Sequence, residues 1–273
     1  MAAGQRSGHL AVLAADGRER AAAAELEARG VATQLWAAGD GLVLDHILRD
    51  ALAVLGPVRM PAALLPALEL LPPGTPVFVG VVDAALRAAA RRCALRGYVD
   101  DESFAVSNAV PTAEAAVAEA SRLAGLAVHG ARAAVLGYGR CGQALAERLL
   151  AWHAQVAVAA RNPADLALAA ARGARPVPWS QRIAAIADCQ FIFNTVPAPA
   201  LDARDLAEVG PQAWVIDLAS APGGVDLAAA GALGVNARLL PGLPGRLYPE
   251  TAGRLVAETV YPWLPPALRQ SEV

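Results

Sequence analysis

Short apolar runs alternate with longer mixed segments along this chain, a rhythm that reads as strands followed by helices. His9 to Ala14 is a first apolar run, and Asp16-Gly17-Arg18 follows it as a turn. Glu19 to Arg29 then reads as an alanine-rich helix closing at Gly30, a residue suited to end helices. Val31 to Trp36 is a second strand. Residues 42–76 are apolar and proline-rich and resolve into no element. Pro76 to Val82 reads as a strand and Asp83 to Gly97 as a helix. Tyr98 to Ser107 carries an acidic patch, Asp100-Asp101-Glu102, and Pro111 stands where the first turn of a long helix, Thr112 to Ala124, is expected.

The pattern sharpens after residue 132. Ala133 to Leu136 is a buried-looking strand that runs into Gly137-x-Gly139-x-x-Gly142, and a helical run, Gln143 to Trp152, follows at once. In a dinucleotide-binding turn the first glycine makes the tight bend and the second admits the pyrophosphate. The third lets helix and strand pack closely. The pyrophosphate then meets N–H groups at the positive end of the helix. Further strands are expected at Gln155–Ala160, Phe191–Asn194, Trp214–Leu218 and Ala237–Leu240, a final helix at Thr251–Trp263, and a frayed tail from Pro265. Strands alternating with helices imply an α/β fold. It would hold a doubly wound parallel-sheet, Rossmann-type cofactor domain plus a smaller α/β N-terminal domain. The expected division is 1–125, including a connecting helix, then 126–247 for the cofactor domain, then 248–273 packing back on the N-terminal part.

Cofactor choice turns on the end of the second strand of this unit. An NAD-binding unit usually carries Asp or Glu about 20 residues past the glycines for the ribose 2′-hydroxyl. Here the strand ends Ala160-Arg161-Asn162, with no carboxylate. A guanidinium can hold a 2′-phosphate, so NADP(H) is favoured, with NAD possible; the alternative is that Arg161 is an ordinary loop arginine.

Composition removes other classes. Net charge is −2 over 273 residues with no basic block, so neither nucleic acid nor an anionic membrane is indicated as a partner. No apolar run of about 20 residues lacks charges or prolines, and Met1 to Ser7 lacks a signal-peptide core, so the cytoplasm is the expected location. Cys93, Cys141 and Cys189 have no metal-ligand spacing, and no metal is expected. The chain has no lysine: all 23 basic side chains are arginine, which excludes Schiff-base chemistry and a Walker-type lysine.

Several strings together resemble a known family. They are Ser107-Asn108-x-x-Pro111-Thr112-x-Glu114, Val135 to Gly142, Ala160-Arg161-Asn162 and Phe193-Asn194-Thr195-Val196-Pro197. With them go Ile216-Asp217-Leu218-Ala219-Ser220-x-Pro222-Gly223-Gly224, Pro241-Gly242-Leu243-Pro244-Gly245 and Thr251-Ala252-Gly253. This sequence is similar to the A-subunit family of dipicolinate synthases over about residues 104–262, and the Asp16-x-Arg18 turn adds a short match before that. The resemblance implies an NADP-dependent oxidoreductase, active in sporulation on a branch of the lysine pathway. It would form pyridine-2,6-dicarboxylate from a dihydro precursor, beside a flavoprotein-like B-subunit of the dipicolinate synthase, as a homo- or hetero-oligomer.

Such a reaction needs a hydride acceptor placed against a ring carbon and the loss of one proton, and aromatisation drives it. Positioning and charge placement are then the protein's main tasks, and no catalytic residue is assigned. A dicarboxylate substrate points to Ser107, Asn108 and Thr112 at the expected helix start, where caps are the alternative reading. It also points to Arg18 and Arg246. The cofactor set is Gly137, Tyr138, Gly139, Arg140, Cys141, Gly142, Ala160, Arg161, Asn162, Asn194, Thr195, Val196, Pro197, Leu218 and Gly242. Thr195 could instead simply close its turn. Asp217 is read as holding the Ser220–Gly224 loop rather than as catalytic. His46 and His153 are expected on helices, His129 near the hinge and His9 near a loop, none of them a base. The rival readings are a shikimate- or hydroxy-acid-type dehydrogenase and a non-catalytic NADP-binding subunit.

Overall fold

The computed structural model describes residues 8–38, 44–220 and 222–269. The elements run β1 (His9–Ala14), α1 (Gly17–Ala28), β2 (Thr33–Ala37), α2 (Leu44–Arg49), β3 (Ala51–Leu55), β4 (Pro76–Val79), α3 (Ala84–Ala89), β5 (Ala94–Gly97) and α4 (Glu102–Ala124). They continue with β6 (Arg132–Leu136), α5 (Arg140–Ala151), β7 (Gln155–Ala160), α6 (Pro163–Ala171), β8 (Arg175–Pro178), α7 (Arg182–Ile186) and β9 (Phe191–Asn194). The last are α8 (Ala203–Ala207), β10 (Trp214–Asp217), α9 (Leu227–Leu233), β11 (Asn236–Leu239), α10 (Leu243–Leu247) and α11 (Pro249–Val260). Two compact units result, Met1–Asn108 with Pro244–Val273, and Ala109–Leu243. The division falls inside α4, whereas the sequence reading gave that whole helix to the N-terminal part. No described helix is long and apolar enough to cross a membrane.

The first unit holds a five-stranded parallel sheet ordered β2-β1-β3-β4-β5. It is as regular as the second, not the looser unit expected. All six residues of β1 are buried, because a parallel sheet is covered on both faces. Its side chains alternate between two cores. Leu10 and Val12 pack with Leu55, Phe78 and the α11 residues Val256 and Val260. Ala11 and Leu13 pack with Val54, Val77, Leu48 and Leu86. Helix α11 lies directly on α1: a Cβ on Gly253 would fall 2.5 Å from the Ala21 Cβ, so only glycine allows this approach. The segment from Pro265 is not frayed as far as Arg269, since Leu264 and Leu268 join the same core.

Three local elements differ from the sequence expectation. The stretch from Asp83 to Gly97 is not one helix: α3 ends at Ala89, and Ala94–Gly97 pairs with β4 as a strand. Helix-forming composition yields there to a partner strand that offers its backbone. Helix α4 starts at Glu102, where Asp101 Oδ1 accepts from Phe104 N at 3.0 Å, so Pro111 lies inside the helix rather than in its first turn. His153 is not on a helix but follows α5 in a left-handed turn (φ 61°). His9 opens β1, as its apolar run predicts, with Nε2 2.8 Å from the Ile47 carbonyl oxygen.

The second unit holds a six-stranded parallel sheet ordered β11-β10-β9-β6-β7-β8. The chain order reverses at β6, which has β7 on one side and β9 on the other. In the first unit the reversal is at β1, between β2 and β3. Ligands of open parallel sheets sit at such switch points, outside the carboxyl ends of the strands. The Glu114–Arg148 ion pair, at 3.3 Å, ties the later half of α4 to α5.

Candidate functional site

In the second unit the site is built around the turn that leaves β6. Gly137 sits at φ +90°, and a Cβ there would lie 2.7 Å from Thr195 Oγ1. A Cβ on Gly142 would lie 2.3 Å from the Gly137 carbonyl oxygen, so α5 begins in direct contact with the turn. At Gly139 nothing lies within 4 Å of a Cβ position, and this residue caps α5 without any side-chain acceptor. The turn thus offers an open face of backbone at the positive end of a twelve-residue helix. That is the cradle a pyrophosphate fits, and Gly137, Tyr138, Gly139, Arg140, Cys141 and Gly142 would hold it. Tyr138 itself is buried and Arg140 is exposed. Burial raises the Cys141 thiol above its ordinary range, so it stays neutral beside an anion.

Two side chains absent from the sequence reading steady this turn. Gln143 donates from Nε2 to the Tyr138 carbonyl oxygen at 3.1 Å, and its Oε1 accepts from Arg172 at 3.2 Å. The fourth residue of the new helix thereby pins the loop that precedes it.

At the ends of β9 and β10 the chain is held from inside. Asp217 is fully buried and accepts four hydrogen bonds, from Asn194 Nδ2 (2.8 Å), Ala219 N (3.0 Å), Gly224 N (2.7 Å) and Val225 N (3.0 Å). Asn194 is also fully buried; its amide donates to the Val196 carbonyl and its Oδ1 accepts from Val196 N. Its side chain is therefore occupied by the protein, and it shapes the turn. Thr195 Oγ1 donates to the Leu136 carbonyl oxygen at 2.9 Å, which closes the turn against β6. Val196 and Leu218 are half-buried, and Pro197 is exposed. Ala160 is buried at the end of β7, Arg161 is exposed beyond it, and Asn162 caps α6 by accepting from Ala164 N. Gly242, at φ +66°, is open and exposed.

The expected substrate residues divide between the units. Ser107 and Asn108 belong to the first and Thr112 to the second. None of them can cap α4, because all three lie within it. Pro111 imitates a helix start in sequence, while the true cap is Asp101. Arg246 is exposed on α10. Arg18 lies at the start of α1, after a capping box in which Asp16 accepts from its backbone N–H and Glu19 accepts from Asp16 N. It is 4% exposed, not a solvated loop arginine. Among the described residues no group of three or more His, Cys, Asp or Glu side chains could hold a metal ion.

Residues 103–230 match the NAD-binding domain of D-isomer specific 2-hydroxyacid dehydrogenases. Over 169 residues, 61% of this chain, the sequence is 34% identical to the dipicolinate synthase A-subunit of Bacillus subtilis (strain 168). That match spans 57% of the relative's length. The structure of the dipicolinate synthase A-subunit from Bacillus halodurans superposes with a TM-score of 0.83 at 27% identity, covering 94% of this chain and 97% of that one. The corresponding structure from Bacillus subtilis gives 0.78 at 26% identity, covering 94% and 95%. The chain resembles the dipicolinate synthase A-subunit. The likeness in structure takes in both units, and the domain match supports a nicotinamide cofactor.

Proposed function

We propose that this chain is an NADP-dependent oxidoreductase that forms dipicolinate from dihydrodipicolinate. The observation that carries the reading is the likeness to the dipicolinate synthase A-subunit over nearly the whole chain, with the open Gly139 face ready for a dinucleotide. A nicotinamide dinucleotide held by Gly137 to Gly142 would supply the hydride acceptor for a dihydropyridine ring, whose aromatisation also releases one proton. The protein's part is placement. The glycine turn fixes the pyrophosphate, the Asp217 and Asn194 network fixes the loops after β9 and β10, and Arg161 holds the 2′-phosphate. Ser107, Asn108, Thr112, Arg18 and Arg246 are the residues proposed for the dicarboxylate. The relative's name, which makes it one subunit of a synthase, speaks for a partner. We take that partner to be the flavoprotein-like B-subunit, in the cytoplasm of a sporulating cell.

The test is turnover. Dihydrodipicolinate with NADP⁺ should yield dipicolinate, followed by its ultraviolet absorbance, and faster when the B-subunit is added. Reduction of 2-oxo acids without dipicolinate formation would give the site to the hydroxy-acid dehydrogenase reading, which the domain match favours. Cofactor binding without any turnover would favour a non-catalytic role. For cofactor choice, NADPH should bind at least about tenfold tighter than NADH, and Arg161→Ala should remove most of that preference while leaving NADH binding intact. Equal affinities in the unaltered protein, measured by calorimetry, would remove the assignment to NADP.

A further inference from the structure

We propose that Arg18 and Tyr98 form a subsite within the first unit that takes a single carboxylate group. It deepens the dicarboxylate reading, on which it rests for the identity of the ligand.

Arg18 is 4% exposed and Tyr98 is fully buried, yet Arg18 Nε and the Tyr98 hydroxyl have no hydrogen-bond partner in the structure. The two side chains are close neighbours: the guanidinium acts on the phenol by its charge and through a loose side-chain hydrogen bond that falls short of pairing either group. A guanidinium stays charged at any ordinary pH, and a buried donor with no acceptor is costly to keep. The carboxylates nearby do not relieve it. Asp16 Oδ1 receives the backbone N–H of Arg18, and Glu19 Oε2 receives those of Ala15 and Asp16. They offset part of the charge but leave Arg18 Nε and the Tyr98 hydroxyl open. Burial holds the phenol protonated, so it too is a donor.

The fold places these donors where a sheet binds ligands. Arg18 follows β1, the strand at which the chain order of the first sheet reverses, and Tyr98 follows β5 at the same carboxyl rim. The backbone of Gly245 rests on the arginine: a Cβ there would lie 2.6 Å from Asp16 Oδ2 and 2.9 Å from Arg18 Nη2. Arg18 and Tyr98 present so little surface that they can meet one small group rather than a whole molecule. Two donors and a planar fork match a carboxylate. A doubly charged phosphate would face Asp16 and Glu19.

The experiment uses the full chain, read by thermal shift and calorimetry. Dipicolinate and picolinate should raise the melting temperature; the neutral picolinamide and inorganic phosphate should not. Arg18→Met should keep or raise the melting temperature of the ligand-free protein, abolish the shift by picolinate, and leave NADPH affinity unchanged. Tyr98→Phe should weaken picolinate about tenfold or more at unchanged stability. A marked fall in ligand-free stability in Arg18→Met would overturn the proposal, because the arginine would then belong to the fold. If that variant does not fold, Tyr98→Phe decides, and full picolinate affinity in it overturns the subsite. No carboxylate shift in the unaltered protein means that a buried water serves these donors, which also overturns it. An Arg18-dependent picolinate shift without dipicolinate turnover upholds the subsite and removes the reaction instead. Turnover with no dependence on Arg18 does the reverse.

Discussion

In the second unit the turn after β6 is made of glycine backbone, and the buried polar side chains Asn194 and Asp217 beside it are bonded within the protein. In the first unit the turn after β1 carries a buried arginine, and a buried tyrosine at the same rim joins it with an unpartnered donor. Both turns leave the strand at which their sheet reverses its order. One is shaped by what is missing from its residues, the other by side chains left without acceptors. A cradle of backbone suits a ligand part that is the same in every dinucleotide. Open side-chain donors suit a part that must be told apart from others.

The hardest blow to this contrast should come from Asp217→Asn. The substitution removes a charge that serves three backbone N–H groups and turns a donor toward them. Unfolding free energy should fall by about 3–5 kcal/mol, as when a buried charged network is broken. Urea unfolding measures it, and a loss under about 1 kcal/mol would mean that the loop from Leu218 to Val225 does not depend on Asp217. Next in size is a pair of glycine variants. Gly142→Ala should cost about 1–3 kcal/mol, because its methyl meets the Gly137 carbonyl. Gly139→Val should stay within about 1 kcal/mol of the parent and still lose cofactor binding, because the valine fills the face the pyrophosphate needs. Equal stability costs at the two positions would erase the distinction between a packed glycine and an open one. Smallest is Glu19→Gln in the first unit. Burial, the largest cause, holds this carboxyl above its ordinary 4.5, with the Asp16 charge acting the same way. The folded form thus keeps its proton to higher pH than the unfolded chain. Its contribution to stability is complete below 4.5 and fades as pH rises through the folded value. The glutamine variant should flatten that slope, and an unchanged pH–stability curve would show that Glu19 carries no such burden.

The contrast also explains what could be read from the residues alone. The glycine turn was legible because each glycine answers a steric need that no other residue meets. Asp217 was legible because a lone acid at the end of a buried strand, followed by Ser-x-Pro-Gly-Gly, needs backbone donors. The first unit was harder. Its strand β3, Ala51–Leu55, lies in an apolar stretch where periodicity separates nothing, and β5 has the composition of the helix before it. Pro111 imitated a helix start although α4 was already two turns long. Tyr98 gave no signal, since its weight comes from Arg18, eighty positions away in the chain. The Asp16-x-x-Glu19 spacing was the available clue, because a capping box fixes where the next side chains begin.

The two prolines of β8 bear on how this protein behaves in a crowd. Pro176 and Pro178 are two residues apart on the outermost strand of the second sheet, so both missing N–H groups lie on the same side of it. The ladder to β7 is kept, which leaves the outer rim short of donors for any further strand. That rim keeps its carbonyl acceptors but is a poor template for another chain. The opposite edge, β11, has no proline in Asn236–Leu239 and keeps its outward donors. If this protein aggregates through strand addition, the growth should start from β11, and a proline placed there should suppress it.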